Sequence, residues 1–447
     1  MSEFDLVVVG GSSGGVRAAR IAASHGARVA LVEEYRLGDT SVIRGCVPKK
    51  LTVYGSRFAQ EIGGAGGCGW ALGKAQFDWA TLKTRRDAEV ARLEGLYRND
   101  LLAAGVQIFA GRARLADHNT VTLPDGTELG DIHILIATGS MPTGAAAIPG
   151  QSIAIDSNGF FDLLALPRRV VVQGAGYIAL ELACVLQRLG AQVHVVVRGD
   201  HILPGFDDDV RTHLRHELLE SGLTFDFGRS IAAITQTGDG LKAELNQGET
   251  VAADCVLRAL CRKPLTQGLG LDAEGAVPVD AFSQTAVPNI HAVGDATNRV
   301  NLTPIEIREG HVFADTVFAG TPRSVDHTLV PTALFTTPEL GVVGLTKQAA
   351  LQQYPRLDVY KTVFRPMKAT LSGHAGKVLF KLLVDLDTDR VPGFHGVGPD
   401  TGEMAQLMGV ALQLKGTKSA LNATLAVHPT AAEEMVTMHN PTVQHGL

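Results

Sequence analysis

A glycine-rich turn between two apolar strands is the first segment whose residues could do chemistry. Residues 4–10 are typical of a buried parallel strand, residues 11–15 of a turn and residues 16–25 of a helix, and a second strand ends at Glu33. A strand–helix–strand order with an acid about 20 residues after the turn is typical of a dinucleotide site. The Glu33 carboxylate would accept hydrogen bonds from a ribose, and the pyrophosphate would lie at the helix N-terminus. Ser12 replaces the middle glycine of the fingerprint, which weakens the motif without refuting it.

Residues 169–179 form a second and more regular unit of the same kind, with Gly174 and Gly176 in its turn. The strand that follows its helix ends at Val197, and Arg198 then stands where the first unit has an acid. Arginine in this position favours the 2′-phosphate of NADP. One glycine motif alone is weak evidence, because helix ends and tight turns also use glycine. Two complete units in one chain predict a protein that binds two dinucleotides.

Two later segments place polar residues where a strand ends or a helix starts. Residues 290–295 read as a strand that ends at Asp295, and Thr303 stands before Pro304 at a predicted helix start. Such residues can bind the ribityl chain and a ring carbonyl of a flavin, although a surface turn and a helix cap explain each segment equally well alone. From about residue 333 onward, strands and helices alternate without a glycine fingerprint, which indicates a third domain of another kind.

Composition excludes several classes of protein. The 447 residues include 40 Lys and Arg against 46 Asp and Glu, a formal charge of −6, so we expect no nucleic-acid partner. The apolar stretches are too short to span a bilayer, the start of the chain lacks a basic signal region, and five scattered cysteines are too few for a disulfide scaffold. We therefore expect no membrane partner and a reducing, cytoplasmic location. We also expect no metal site, since no Cys-x-x-Cys pair is present and the acidic run 385–389 lacks the glycine of a calcium loop.

The segment Gly-Cys46-Val-Pro-Lys49-Lys, together with the two nucleotide units, closely resembles the redox-active helix of the FAD- and NADPH-dependent pyridine nucleotide–disulfide oxidoreductases, the family that includes glutathione reductase. The resemblance covers essentially the whole chain. Its other segments are Gly-Ala-Gly-Tyr177-Ile-Ala-Leu-Glu181, Ala-Val-Gly-Asp295, Leu-Thr303-Pro, Pro331-Thr-Ala-Leu-Phe335 and His428-Pro-Thr-Ala-Ala-Glu433.

The fold implied by this resemblance is α/β, with two Rossmann-like dinucleotide-binding domains, for FAD and NADP, and an α+β C-terminal dimerisation domain. We expect the FAD domain to comprise residues 1–148 and 263–332, the NADP domain residues 149–262 and the interface domain residues 333–447. The resemblance also implies a homodimer.

The activity implied by the resemblance is a hydride relay from NADPH to FAD and on to a thiol. Cys46 matches the thiol next to the flavin, and a position near a helix N-terminus favours its thiolate. Tyr177 matches an aromatic gate over the flavin, and Glu181 and Lys49 match a buried ion pair beside it. His428 matches an acid–base residue donated by the partner chain and oriented by Glu433, and an imidazole is suited to passing a proton to and from a thiol.

Cofactor and substrate contacts follow from the same resemblance. The residues that we expect to bind FAD or NADPH are Gly10, Ser13, Gly14, Gly15, Glu33, Thr40, Lys49, Ala113, Thr138, Gly139, Gly174, Ala175, Gly176, Ile178, Ala179, Arg198, Arg262, Asp295 and Thr303. Arg20 and Tyr97 match residues that bind glutathione, although each alone is better explained as a surface arginine or a helix-packing tyrosine. Together they favour glutathione disulfide as the substrate.

The chain departs from the family pattern at its redox pair. Ser41 stands where the family has the interchange cysteine, which attacks the substrate disulfide, and a hydroxyl cannot replace a thiolate in that step. Asp39 and Cys261 replace glycines near the two cofactors, and Pro204 stands where a second phosphate-binding arginine is common. Glu306 adds an acid near a helix N-terminus, where we expect it to be harmless.

Three explanations of these departures remain open. A deliberate Cys→Ser replacement in a glutathione reductase explains Ser41 but leaves Ser12, Asp39 and Cys261 unexplained. A diverged relative that is inactive, or that reduces another acceptor with its flavin, explains all four. A dimeric scaffold that binds nucleotides without turnover is the third.

Overall fold

A computed structural model describes residues 2–143, 147–271 and 275–446. The chain divides into two compact units, each assembled from separate segments. The first unit comprises Met1–Leu51, Ala80–Ala145 and Cys261–His327, and the second comprises Thr52–Trp79, Ala146–Leu260 and Thr328–Leu447. The domain boundaries given above stay predictions.

The secondary structure of the described residues alternates between strands and helices along most of the chain. The strands are β1 (Ser2–Val9), β2 (Val29–Glu33), β3 (Gln107–Ala110), β4 (Arg114–Asp117), β5 (Thr120–Thr122), β6 (Glu128–Ile136), β7 (Ser140–Thr143), β8 (Arg169–Gln173), β9 (Gln192–Val197), β10 (Thr224–Phe227), β11 (Ile231–Thr237), β12 (Gly240–Leu245), β13 (Thr250–Ala253), β14 (Cys255–Arg258), β15 (Cys261–Pro264), β16 (Ile290–Ala292), β17 (Thr332–Leu334), β18 (Glu339–Gly344), β19 (Leu357–Phe364), β20 (Val378–Asp385), β21 (Gly393–Gly398) and β22 (Val443–His445). The α-helices are α1 (Ser13–Ser24), α2 (Asp39–Ile43), α3 (Cys46–Gly64), α4 (Trp79–Ala103), α5 (Ser157–Asp162), α6 (Tyr177–Arg188), α7 (Asp208–Glu220), α8 (Thr303–Phe318), α9 (Lys347–Gln353), α10 (Met367–Ser372), α11 (Thr401–Gln413), α12 (Lys418–Ala423) and α13 (Glu434–Thr437). Short 3₁₀ segments lie at Ala65–Cys68, Gln151–Ile153, Gly294–Thr297 and Ala431–Glu433.

The first unit is built on a parallel sheet in the order β3-β2-β1-β6, which β16 extends by pairing with the second half of β6. Strands β5 and β4 continue from the first half of β6 as an antiparallel hairpin. Side chains of β1 alternate between two cores, Val7 and Val9 in one and Leu6 and Val8 in the other. Both faces of the sheet are therefore covered, which confirms the prediction of a buried parallel strand.

Helices α1 and α8 of this unit meet through their backbones. A Cβ atom on Gly310 would lie 2.2 Å from the carbonyl oxygen of Gly14, and one on Gly14 would lie 2.9 Å from the carbonyl oxygen of Glu306. Glycine is required at both positions because any side chain would push the helices apart. This contact fixes the start of α8 next to the turn that follows β1.

The second unit contains a parallel sheet in the order β10-β9-β8-β14, next to the antiparallel sheet β11-β12-β13. Its C-terminal part is an antiparallel sheet in the order β17-β18-β21-β20-β19-β22, covered by α11. Lys381 of β20 is fully buried, and its Nζ atom lies 2.6 Å from carboxylate oxygens of both Asp207 and Asp209 at the start of α7. A buried cation is tolerated when it is paired in this way.

We predict opposite effects of two glycine-to-alanine substitutions inside helices. Gly310→Ala should destabilise the protein by roughly 1–3 kcal/mol, because its Cβ atom overlaps the backbone of α1. Gly95→Ala in α4 meets nothing within 4 Å and should stabilise by about 0.5–1 kcal/mol, since alanine favours the helix. Denaturant unfolding of both variants checks this, and equal effects of the two would contradict the packing described.

Candidate active site

The turn after β1 leaves no room for side chains at two of its three fingerprint positions. Gly10 has a φ of +107°, and a Cβ atom there would lie 2.3 Å from the carbonyl oxygen of Ala137. A Cβ atom on Gly15 would lie 2.2 Å from the oxygen of Gly10. Ser12 is tolerated at the third position because it is the N-cap of α1, where its hydroxyl accepts a hydrogen bond from the Gly15 N–H.

A cavity opens at the carboxyl ends of β1 and β2, where a doubly wound sheet binds its ligands. Its wall includes Gly10, Glu33, Asp39, Arg112, Ala113 and Thr138. Glu33 accepts hydrogen bonds from the backbone N–H groups of Gly11 at 2.6 Å and Tyr35 at 2.7 Å. Burial of the Glu33 carboxyl raises its pKa. The strand end thus presents a fixed carboxyl group to the cavity.

Two hydroxyl groups near this cavity have no hydrogen-bond partner within the described residues. They are Oγ of Ser13, in the first turn of α1, and Oγ1 of Thr138, in the loop after β6. Buried polar atoms normally find a partner. A ligand oxygen at the N-terminus of α1 would satisfy both the Ser13 hydroxyl and the free backbone N–H groups of the helix.

Arg262 is linked to two other predicted cofactor residues, to Thr40 directly and to Asp295 through Ser140, which the sequence did not predict. Its guanidinium group donates to Thr40 Oγ1 at 2.9 Å and to Ser140 Oγ at 2.8 Å. Ser140 in turn donates to a carboxylate oxygen of Asp295. The only sequence signal for Ser140 is its place directly after the Thr138-Gly139 loop.

Asp39 and Glu306 bring further carboxyl groups to the same region. Burial, with the nearby charge of Glu33, raises the pKa of Asp39 to about 7. Burial and the neighbouring Asp295 raise the pKa of Glu306 well above its ordinary value. Glu306 lies in the first turn of α8, as expected, but its side chain is buried, so its harmlessness stays a prediction.

The predicted thiol lies where α3 begins, and it shares a partner with Ser41. Oγ1 of Thr303, the first residue of α8, is 2.5 Å from Ser41 Oγ and 3.5 Å from Cys46 Sγ. Cys46 is a free thiol. The three side chains come from α2, α3 and α8, so the fold brings together residues 262 positions apart in the chain.

The second glycine turn has the same backbone constraint as the first. A Cβ atom on Gly174 would lie 2.2 Å from the oxygen of Ala259. Gly176 is the N-cap of α6, which places Tyr177, Ile178 and Ala179 in its first turn. The Ala175 carbonyl accepts a hydrogen bond from Leu203 at 2.8 Å, which ties the loop after β9 to the turn. Arg198, the first residue of that loop, is exposed.

Glu181 is buried within α6 and accepts a hydrogen bond from the backbone N–H of Phe335 at 2.7 Å. Lys49 lies in the first turn of α3, in the other unit. The ion pair between Glu181 and Lys49 stays a prediction. Tyr177 is 42% exposed, as a side chain that gates a site would need to be.

His428 and Glu433 form the pair that the sequence predicts. The Nδ1 atom of His428 lies 3.0 Å from a carboxylate oxygen of Glu433, and the imidazole is 80% exposed. Glu433 orients the ring while Nε2 faces outward, so the geometry suits an acid–base group that acts on a molecule outside this part of the chain.

Arg20 and Tyr97 lie on α1 and α4 of the first unit. The Arg20 guanidinium is half-exposed and pairs with Asp100 at 3.1 Å. The Tyr97 ring packs against a small apolar cluster formed by Val42, Ile43 and Val90. Their roles toward a substrate stay predictions.

Comparisons with known proteins match the whole chain. Residues 4–310 match the family model described as pyridine nucleotide-disulphide oxidoreductase, and residues 330–439 match its dimerisation domain. Glutathione reductase of Burkholderia cepacia is 46% identical over 98% of this chain and 99% of its own length. The chloroplastic/mitochondrial glutathione reductase of Pisum sativum is 41% identical over 98% and 83%, and that of a Nostoc strain is 40% identical over 98% and 99%.

The chain belongs to the pyridine nucleotide–disulphide oxidoreductases. The mixed α/β fold with dinucleotide-binding and dimerisation parts is confirmed. FAD and NADPH are the cofactors of an oxidoreductase of this type. The chemistry that bound FAD supplies is acceptance of a hydride from NADPH and delivery of two electrons to an acceptor.

The residues around the turn after β1 suit the phosphate part of FAD. Gly10 and Thr138 lie at the cavity wall, and the buried hydroxyls of Ser13 and Thr138 have no hydrogen-bond partner among the described residues, which suits oxygen ligands of a phosphate. The fit extends to the pyrophosphate if Asp39 is uncharged, since a carboxylate would repel that anion.

No helix of the described residues is long and apolar enough to cross a membrane.

We predict that Arg198 selects NADPH over NADH. Arg198→Ala should raise the KM for NADPH roughly 10- to 100-fold, the loss expected for a hydrogen bond to a charged group, and leave the KM for NADH unchanged. Initial rates with ferricyanide as acceptor measure both constants. Arg168→Ala, an exposed arginine just before β8, is the matched control. Equal changes for the two nucleotides would contradict the prediction.

Proposed function

We propose that this chain is an NADPH-dependent FAD oxidoreductase of the glutathione reductase type, with a site for glutathione disulfide and an impaired disulfide-reducing step. The observation that carries the proposal is the cluster of Cys46, Ser41 and Thr303. A thiol at the start of a helix lies beside the residue predicted to contact the flavin, and a hydroxyl occupies the place of the second thiol. The matches to glutathione reductases over the whole chain support it.

The proposed path runs from NADPH on the Gly174–Ala179 turn, past Tyr177, to FAD. Cys46 would receive the electrons only as a mixed disulfide, formed when its thiolate attacks glutathione disulfide and releases one glutathione. The exposed His428 of the partner subunit would return a proton to the thiolate that leaves. Full turnover would convert glutathione disulfide, NADPH and a proton into two glutathione molecules and NADP⁺. Arg20 and Tyr97 are the proposed contacts of glutathione in the first unit.

The assembly that we propose is a homodimer. The match of residues 330–439 to a dimerisation domain supports it. The exposed imidazole of His428 supports it too, because an acid–base group that faces away from its own part of the chain needs a site elsewhere. We also propose a cytoplasmic location, which the free state of all five cysteines supports.

A second candidate is reduction of an acceptor other than a disulfide. The bond between Ser41 and Thr303 favours it, because the hydroxyl closes the usual dithiol route without removing the flavin contact. In that case, electrons would leave FAD directly, and Cys46 would take no part in turnover.

We predict that the purified protein is yellow with bound FAD and that NADPH bleaches it. The reason is Glu33 at the cavity wall, together with Asp295 and Thr303, which the family resemblance assigns to the flavin. Absorbance spectra before and after NADPH check the prediction. A colourless protein that takes up no added FAD would contradict both enzymatic candidates.

We predict that Ser41→Cys raises glutathione disulfide turnover at least about tenfold, because it supplies the thiolate that exchange requires. NADPH consumption with glutathione disulfide as the substrate measures it. Ser41→Ala should match the unaltered chain, and Cys68→Ser, at an exposed thiol away from the site, is the control. If the unaltered chain already turns over as fast as Ser41→Cys, the assigned role of position 41 is wrong.

A further inference from the structure

Asp39 holds a carboxyl group at the wall of the FAD cavity in a backbone conformation that suits glycine. Its φ is +42°, in the left-handed region that side chains other than those of Asn and Asp rarely occupy. One carboxyl oxygen lies 2.7 Å from the point that a Cβ atom on Gly139 would occupy, and the other accepts from Thr40 Oγ1 at 3.4 Å. The same cavity is lined by Gly10 of the pyrophosphate turn.

Most ionisable groups that face Asp39 are acids. The carboxyl groups whose charges act on it are Glu33 at the end of β2, Asp295 in the 3₁₀ segment after β16, and Glu306 of α8. Arg262 of β15 is the nearby cation, and its Nε and Nη2 atoms donate to Ser140 and Thr40. A second cation at the cavity wall is Arg112, which pairs with Glu34 at 3.3 Å and donates to the Gln267 carbonyl. If Asp39 were ionised, the negative charge at the cavity wall would therefore repel a bound anion.

Glu306 extends this acidic surface behind Asp39. Its side chain packs against Gly294, where a Cβ atom would lie 2.8 Å from Glu306 Cγ. Burial and the neighbouring Asp295 raise the pKa of Glu306, which favours its protonated form. Glu309 lies one turn further along α8, accepts from the Gly294 N–H at 2.7 Å and pairs with Arg299.

We propose that Asp39 binds the FAD diphosphate as a neutral carboxylic acid, so that FAD and one proton bind together, and that Glu306 remains protonated behind it. A protonated carboxyl is a hydrogen-bond donor, and a donor next to a phosphate oxygen stabilises the anion. The proposal rests on the proposed function in one respect, namely that FAD is the ligand of this cavity.

The direction of the pH effect follows from the charge of Asp39. The cavity binds FAD fully below the pKa of free Asp39, which burial raises to about 7, and loses affinity above it. We expect the Kd for FAD to rise about tenfold per pH unit above pH 7, the slope for uptake of a single proton.

The test is the Kd for FAD of the full-length apoprotein from pH 6 to 8.5 at constant ionic strength, measured by flavin fluorescence. Proton uptake on mixing at pH 8 in weak buffer should be about one per FAD. Asp39→Asn keeps a donor without a charge, so its Kd should be independent of pH and equal to that of the unaltered chain at pH 6. Asp39→Gly suits the left-handed φ and should also be independent of pH.

Two further variants distinguish the pH effect of Asp39 from the effect of removing any acidic side chain. Glu89→Gln, at a partly exposed acid on α4, should keep the full pH slope. Glu306→Gln should change the Kd at pH 6 by less than about threefold, since it replaces one neutral group by another. A flat profile for the unaltered chain, or an unchanged slope in both Asp39 variants, overturns the role of Asp39. A tenfold gain in affinity for Glu306→Gln at every pH overturns the role of Glu306, and absence of FAD binding at any pH contradicts the proposed function itself.

Discussion

The site of the first unit depends on the direct backbone contact between α1 and α8. Gly14 and Gly310 leave no side chain between the two helices, so the start of α8 lies against the turn that follows β1. That position puts Thr303 within reach of Ser41 and Cys46, and it buries Glu306 beside Asp295. Interiors packed this closely transmit any shift of one helix to the groups that it carries.

The site combines residues that suit the chemistry of the family with residues that hinder it. The fold keeps the thiol, the threonine and the helix starts that the oxidoreductase family uses. It also places a hydroxyl at position 41 and a carboxyl at position 39, one unable to exchange with disulfides and the other unfavourable to an anion when ionised. The glycine turns thus suit two dinucleotides, whereas a hydroxyl and not a second thiol lies beside Thr303 and Cys46.

Local sequence patterns predicted much of the fold. The strand–helix–strand units at β1-α1-β2 and β8-α6-β9 and the helix that starts at Thr303 were expected, because each depends on neighbouring residues in the chain. The hydrogen bond between His428 and Glu433 agrees with what the family resemblance implied. The network of Thr40, Ser140, Arg262 and Asp295 was not expected as a network, since its members come from four distant segments. The burial of Glu306 was missed for the same reason, because a helix N-terminus looks exposed until the element packed against it is known.

The central claim is that electrons from NADPH reach FAD and find no second redox centre in this chain. Anaerobic titration of the flavin spectrum with NADPH tests it most directly, because FAD and a disulfide each accept two electrons. With Cys46 as a free thiol, about one equivalent of NADPH per FAD should bleach the flavin completely. Consumption of a second equivalent before bleaching would show that Cys46 forms a disulfide with another thiol, and it would contradict the account.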